Sequence, residues 1–113
     1  MIGKKKMSEQ QQIEITIEEA EKSIAMSECL ERLAQSQDFQ QLILEDYFKT
    51  NSVRLVSLRA DPNFTSKPEN IVANNRALDG ISELMGYFRT VSIMGGISRQ
   101  TLADHIELEN QED

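Results

Sequence analysis

Most of what marks a catalytic or metal centre is scarce in this chain of 113 residues. It has one histidine, one cysteine and no tryptophan. A lone cysteine, Cys29, excludes an intrachain disulfide and fits a reducing compartment. With only His105 beside it, no standard zinc set of Cys and His ligands can form. No serine or cysteine has a recognisable activating neighbour, so nucleophilic catalysis has no candidate. Gly95-Gly96 lacks the following lysine and the spacing of a phosphate-binding loop. Lys4-Lys5-Lys6 is followed by polar residues rather than an apolar stretch, which argues against a standard secretory signal. No run approaches the roughly 18 apolar residues of a membrane span. The expectation is a non-enzymatic, soluble protein with no cofactor, no metal and no catalytic residues. On this reading Cys29 is a small buried hydrophobe, since free Cys is usually buried, and His105 is a surface residue.

Acidity is the main compositional feature. The net charge is −7, with 39% hydrophobic and 27% charged residues. It is unevenly placed: residues 8–47 carry −8, residues 48–68 carry +3 and residues 69–113 carry −5. An acidic surface repels phosphate backbones, which disfavours nucleic-acid binding. The basic middle, with Arg54 and Arg59, is thinner than a nucleic-acid footprint. Its plain reading is charge balance against Glu45, Asp46 or the acids of the first helix.

Periodicity points to helices throughout. Residues 1–14 are basic, then glutamine-rich, and read as a flexible tail; Met7 offers a second start. Thr16-Ile17-Glu18-Glu19 is a capping box, so a first helix is expected from Thr16 to about Gln35. Its apolar side holds Ile17, Ala20, Ile24, Met26, Leu30, Leu33 and Ala34. Ala20, Ser23, Ser27 and Ala34 are small enough for close approach of a neighbouring helix. Ser36 or Asp38 restarts the chain. Phe39, Leu42, Ile43 and Tyr47 then follow at helical spacing, with Leu44 and Phe48 beside them; Leu44, Phe48, Leu55 and Leu58 continue one helical stripe, so residues 53–58 read as helix rather than strand, with a kink at residues 50–52. Asp61 to Pro68 reads as the one clear loop, closed by a second capping box at Ser66. A long helix is expected from Pro68 to Met94, with Gly95-Gly96 as its terminator or hinge. Ile97, Leu102 and Ile106 suit one more short helix before an acidic flexible tail, residues 107–113.

The fold class expected is all-α: a helical hairpin or three-helix bundle, its domain spanning residues 15–106. Tyr47-Phe48 and Tyr87-Phe88 recur in an aromatic-poor chain, each phenylalanine on the stripe and each tyrosine to one side. The plain reading is core anchoring with the hydroxyl at the rim; an exposed tyrosine is instead a binding surface. Tyr47, Arg54, Arg59, Tyr87 and Arg89 are the candidate partner-contacting residues.

Asp38 to Phe48, Val53 to Pro62 and Asn75 to Met94 together resemble a group of small helical proteins of tailed bacteriophages. Asp38, Arg54 and Arg89 are the polar marks of the likeness, which covers residues 17–106. The resemblance implies a phage setting: the host bacterial cytoplasm during infection, or the virion. The function expected is protein–protein interaction in virion assembly or a virion-associated role. Partners are a second copy, as a dimer through the long helix, and another phage or host protein. The alternatives are an acidic, DNA-mimicking inhibitor of a host protein, motivated by residues 8–47, and a nucleic-acid accessory protein acting through the basic segments.

Overall fold

A computed structural model of the chain describes residues 9–111, and their side chains from Ile17 onward. The described residues are all-α with no strand. The order is α1 (Glu9–Ala34), α2 (Gln37–Phe39), a π-helical segment (Gln40–Thr50), α3 (Asn51–Leu58), α4 (Pro62–Thr65) and α5 (Pro68–Gln111). The chain divides into two compact units. Unit 1 takes the chain up to Cys29 and from Val91 on; unit 2 is Leu30–Thr90.

Unit 1 packs on small side chains. Ala20 and Ser27 of α1 are buried, as are Gly95 and Ser98 of α5. The Ser27 hydroxyl turns back onto its own helix, donating to the Ile24 carbonyl at 2.8 Å, so its burial leaves no donor unmet. A Cβ built on Gly95 would overlap the Cβ and Oγ of Ser27 and lie 3.6 Å from the Ser23 carbonyl oxygen. Gly95 is therefore a point of close helix approach. It does not terminate α5, which runs on through both glycines with no positive φ. The expected stop at Met94 and the separate short helix at 97–106 are thus one continuous helix. A glycine inside a helix costs about 1 kcal/mol of propensity, which the contact with Ser27 offsets. The helix also continues past Glu107 to Gln111, where a tail was expected.

Expectations for α1 and for His105 are corrected. α1 is already helical at Glu9, upstream of Thr16, so residues 9–14 are helical; residues 1–8 of the expected tail and the Thr16 side chain lie outside what is described. Met26 is 44% exposed, because the inward face follows Ile17, Ala20, Ser23–Ile24 and Ser27 and leaves Met26 to one side. Cys29 is exposed rather than buried, two residues past Ser27 and so turned away from that face. His105, expected at the surface, is half-buried, its Nε2 3.2 Å from Glu109 Oε1.

Unit 2 starts with the end of α1 and a turn at Gln35–Ser36. Ser36 has extended backbone, φ −69° and ψ 126°, and its hydroxyl accepts from the Phe39 N–H at 3.3 Å. That is the N-cap expected of Ser36. Gln40 Nε2 donates to the Ala34 carbonyl at 2.7 Å, meeting one of the orphan acceptors at the end of α1. Leu33, expected inside, is 43% exposed.

From Gln40 to Thr50 the chain winds as a π-helix, ending where the Asn51 N–H bonds the Asp46 carbonyl five residues back. The half-buried residues Phe39, Ile43–Leu44 and Tyr47–Phe48 recur every four to five positions. That matches a turn of about 4.4 residues better than one of 3.6. Leu42, expected on the stripe, is 64% exposed. In an α-helix it would stand about 60° from Phe39; the wider turn moves it to about 115°. The expected kink at residues 50–52 is the change from π to α winding, and residues 51–58 continue the same helical run as α3.

The expected loop after Asp61 contains a short helix instead. The Asp61 carboxylate accepts from the Asn63 N–H at 3.0 Å, with Pro62 in the first turn. Ser66 closes α4: its hydroxyl donates to the Asn63 carbonyl at 3.0 Å, and a cap of α5 is not its role. α5 then packs with Ile81 buried, opposite in kind to the small residues of unit 1, and Leu55 of α3 buried likewise.

Candidate functional site

The most structured polar constellation lies in unit 2, where α3 ends. A helix terminus leaves carbonyls without intrahelical donors. Here the Arg59 N–H bonds Val56 O at 3.1 Å, a tightened last turn, which frees the Leu55 carbonyl. Asn74 Nδ2 fills that vacancy at 2.8 Å. The other side of the same amide, Oδ1, accepts from Arg59 Nε at 2.7 Å. Arg59 Nη2 donates to Asn75 Oδ1 at 2.6 Å. Asn74 is only 3% exposed, so burial forces each of its polar atoms to find a partner. Between these groups and α4 is an open hollow of about 220 Å³, lined by Arg59, Phe64, Thr65, Ile71, Asn74 and Asn75.

Two neutral amides hold the guanidinium but leave its charge uncompensated. Arg54 is treated alike: its Nε and Nη2 donate to Asn51 Oδ1 at 3.2 and 2.7 Å. The expected balance of Arg54 and Arg59 against nearby acids is therefore not what forms. Glu45 pairs with Lys49 at 3.2 Å instead, a fully solvated i,i+4 pair of small weight. Asparagine oxygens hydrogen-bond to a guanidinium without neutralising it, so this end of α3 keeps its positive charge.

The aromatic residues form a second cluster in unit 2. Phe39 and Phe88 meet edge-to-face with centroids 5.7 Å apart, and Phe48 meets Phe88 at 6.2 Å. Both phenylalanines of the recurring Tyr-Phe pairs thus anchor inward, as their stripe positions imply. Their tyrosines part company. Tyr47 is half-buried, 5.8 Å from Phe48 by ring centroids, with its hydroxyl 3.7 Å from where a Cβ on Gly80 would sit. Tyr87 is 54% exposed, touching Phe88 at 6.0 Å. Arg89 is exposed. Of the five candidate residues, then, Arg59 sits in a built constellation, Tyr47 in the aromatic cluster, and Arg54, Tyr87 and Arg89 on the surface. Asn74 and Asn75, which sequence reading did not single out, are the residues that orient Arg59. A polar side chain on the inward face of α5 is the visible signal for Asn74; Asn75, which is exposed, carries none.

Among the described residues no three of His, Cys, Asp and Glu gather closely enough to hold a metal ion, and no helix is long and apolar enough to cross a membrane. No family model, curated protein or solved structure matches the chain.

Proposed function

We propose that this chain is a non-enzymatic interaction protein that completes its apolar burial on a second copy of itself and on another protein. The supporting observation is the ratio of buried to exposed apolar side chains. Among the described residues, only Ala20, Leu55 and Ile81 are buried hydrophobics, while fourteen large hydrophobics are exposed. Single exposed apolar residues are normal, but this many against so small a core is a surface fitted for contact. The hollow at Arg59 adds a charged, oriented anchor of the kind that interfaces favour. The likeness to small phage proteins makes a tailed-phage virion, or its assembly, the setting of this proposal.

Sedimentation velocity over a concentration series tests the self-association. A rising mean mass at tens of micromolar is expected; a strict ~13 kDa monomer would remove that part of the reading. Mass spectrometry of purified particles tests the setting, with the chain expected at a fixed copy number.

A further inference from the structure

The guanidinium of Arg59 is fixed in place and still has donors to offer. A guanidinium carries five N–H groups in a rigid planar fork. Asn74 Oδ1 takes the one on Nε and Asn75 Oδ1 takes one on Nη2, at 2.7 and 2.6 Å. Both donors on Nη1 and the second on Nη2 have no acceptor among the described residues, and no described carboxylate pairs with the group. The other polar groups around the hollow are spent or neutral. The Thr65 hydroxyl donates to the Asp61 carbonyl at 3.2 Å, and Asn74 uses both ends of its amide. Phe64 and Ile71 supply the apolar wall. Every residue lining the hollow belongs to unit 2.

We propose that this hollow receives an acidic side chain of a partner protein, a glutamate or an aspartate. Its carboxylate meets the open donors of Arg59, and an apolar residue next to it in the partner lies against Phe64 and Ile71. This rests on the interaction reading above and names the chemistry of what docks. Charge complementarity selects the head group. A guanidinium held by neutral amides lacks its counter-ion, and a planar carboxylate meets a planar fork with two oxygens. The fixing matters as much as the charge. Two hydrogen bonds to adjacent residues of α5 have already ordered a long side chain, so less freedom is lost on binding.

Two other occupants fit less well. A phosphate brings more charge and more oxygens than a single guanidinium satisfies. Arg59 is the one cation lining the hollow, in a chain of net charge −7, so a dianion is also repelled by the rest of the surface. A free small molecule has too little room. Pockets for such ligands run to roughly 300–1,000 Å³ and enclose most of the ligand, whereas this hollow is open and about 220 Å³. A side chain presented by a larger partner is the occupant of that size.

Titration of the full, isotope-labelled chain, followed by its amide NMR shifts, tests the site. The probes are acetyl-Leu-Glu-Leu-amide, the same peptide with Gln in place of Glu, and butyrate. The Glu peptide is expected to bind in the millimolar range and shift the amides around Arg59, Phe64 and Asn75. The Gln peptide is expected to bind about tenfold more weakly. Equal binding of the two peptides overturns the carboxylate as head group. Butyrate binding as tightly as the Glu peptide overturns the partner protein in favour of a free acid. Arg59→Lys is expected to weaken the Glu peptide about fivefold, because an ammonium lacks the planar fork. That change also takes a donor from the buried Asn74, so Ile71→Glu supplies an independent variant. Ile71 is 42% exposed and lies in the first turn of α5, where an acid suits the helix dipole. Its new carboxylate claims Arg59 in place of the partner's. Ile71→Glu is expected to leave amide shifts outside the hollow unchanged and to abolish peptide binding; retained binding overturns the site. Sedimentation separates the two readings. No peptide binding with a rising mean mass overturns this assignment and leaves self-association standing. Loss of self-association in Ile71→Glu gives the hollow to a second copy and overturns the separate partner.

Discussion

The two units are closed by opposite means. Unit 1 brings helices together by removing side chains: among the described residues Ala20, Ser27, Gly95 and Ser98 are the buried ones, and glycine meets serine where they cross. Unit 2 fills space with Leu55, Ile81 and three phenylalanines, and then ties α3 to α5 through one buried amide. A contact made of small residues depends on shape alone, and any added atom disturbs it. A contact made through Asn74 depends on atoms of defined polarity, and what disturbs it is the loss of a partner. The units should therefore respond differently to substitutions of similar size.

The largest effect is expected in unit 2. Asn74→Ala removes two hydrogen bonds and leaves the Leu55 carbonyl without its donor at a buried junction, while the exposed Arg59 keeps only its bond to Asn75. An unmet buried polar group costs about 1–3 kcal/mol, and here one is created beside a small cavity. A loss of about 2–4 kcal/mol in urea-unfolding stability is expected. Asn74→Asp should not rescue it, since a carboxylate cannot donate to the Leu55 carbonyl. A loss below about 1 kcal/mol would mean that the junction is solvated and the amide is no tie.

Unit 1 is expected to lose less, and adjacent glycines there should respond with opposite sign. Nothing lies within 4 Å of a Cβ on Gly96, whereas one on Gly95 overlaps Ser27. Gly96→Ala should stabilise by about 0.5–1 kcal/mol through helix propensity. Gly95→Ala carries the same propensity gain and should still destabilise, by about 1–2 kcal/mol, from overpacking. Coupling locates the cause. Ser27→Gly combined with Gly95→Ala should be less damaging than the sum of the two changes, because the overlapping atoms are gone. Equal and favourable responses at both glycines would show that α1 and α5 do not approach closely there.

What could be read from the sequence follows the same division. The all-α class, the small-residue side of α1, the Ser36 cap and the long helix starting at Pro68 each rest on a local pattern, and local patterns survive folding. Gly95 was misread because a glycine looks the same whether it ends a helix or admits a neighbour. Only the partner, Ser27, tells the two apart, and it lies 68 residues away in sequence. Ser66 was misread because a hydroxyl that caps a helix and one that closes the preceding turn differ only in the direction of one hydrogen bond. Arg54 and Arg59 were assigned to nearby acids by charge, yet Asn51, Asn74 and Asn75 were better placed. Proximity in the fold, rather than charge, chose their partners.

The smallest effect belongs to the winding of residues 40–50. Leu42 occupies a position that α-helical spacing turns toward Phe39 and π-helical spacing turns away, and it is 64% exposed. Leu42→Gln should therefore change stability by less than about 0.5 kcal/mol, as exposed substitutions do. The matched change Leu44→Gln, at a half-buried position two residues on, should cost about 1–2 kcal/mol. Length and polarity change identically in the two variants, so the difference between them reports the pitch of the helix. If Leu42→Gln costs as much as Leu44→Gln, the segment winds with the tighter turn in solution. Unit 2 would then have to seat Leu42 beside Phe39, and the face of α5 that meets the phenylalanines would gain an apolar neighbour that the π winding withholds.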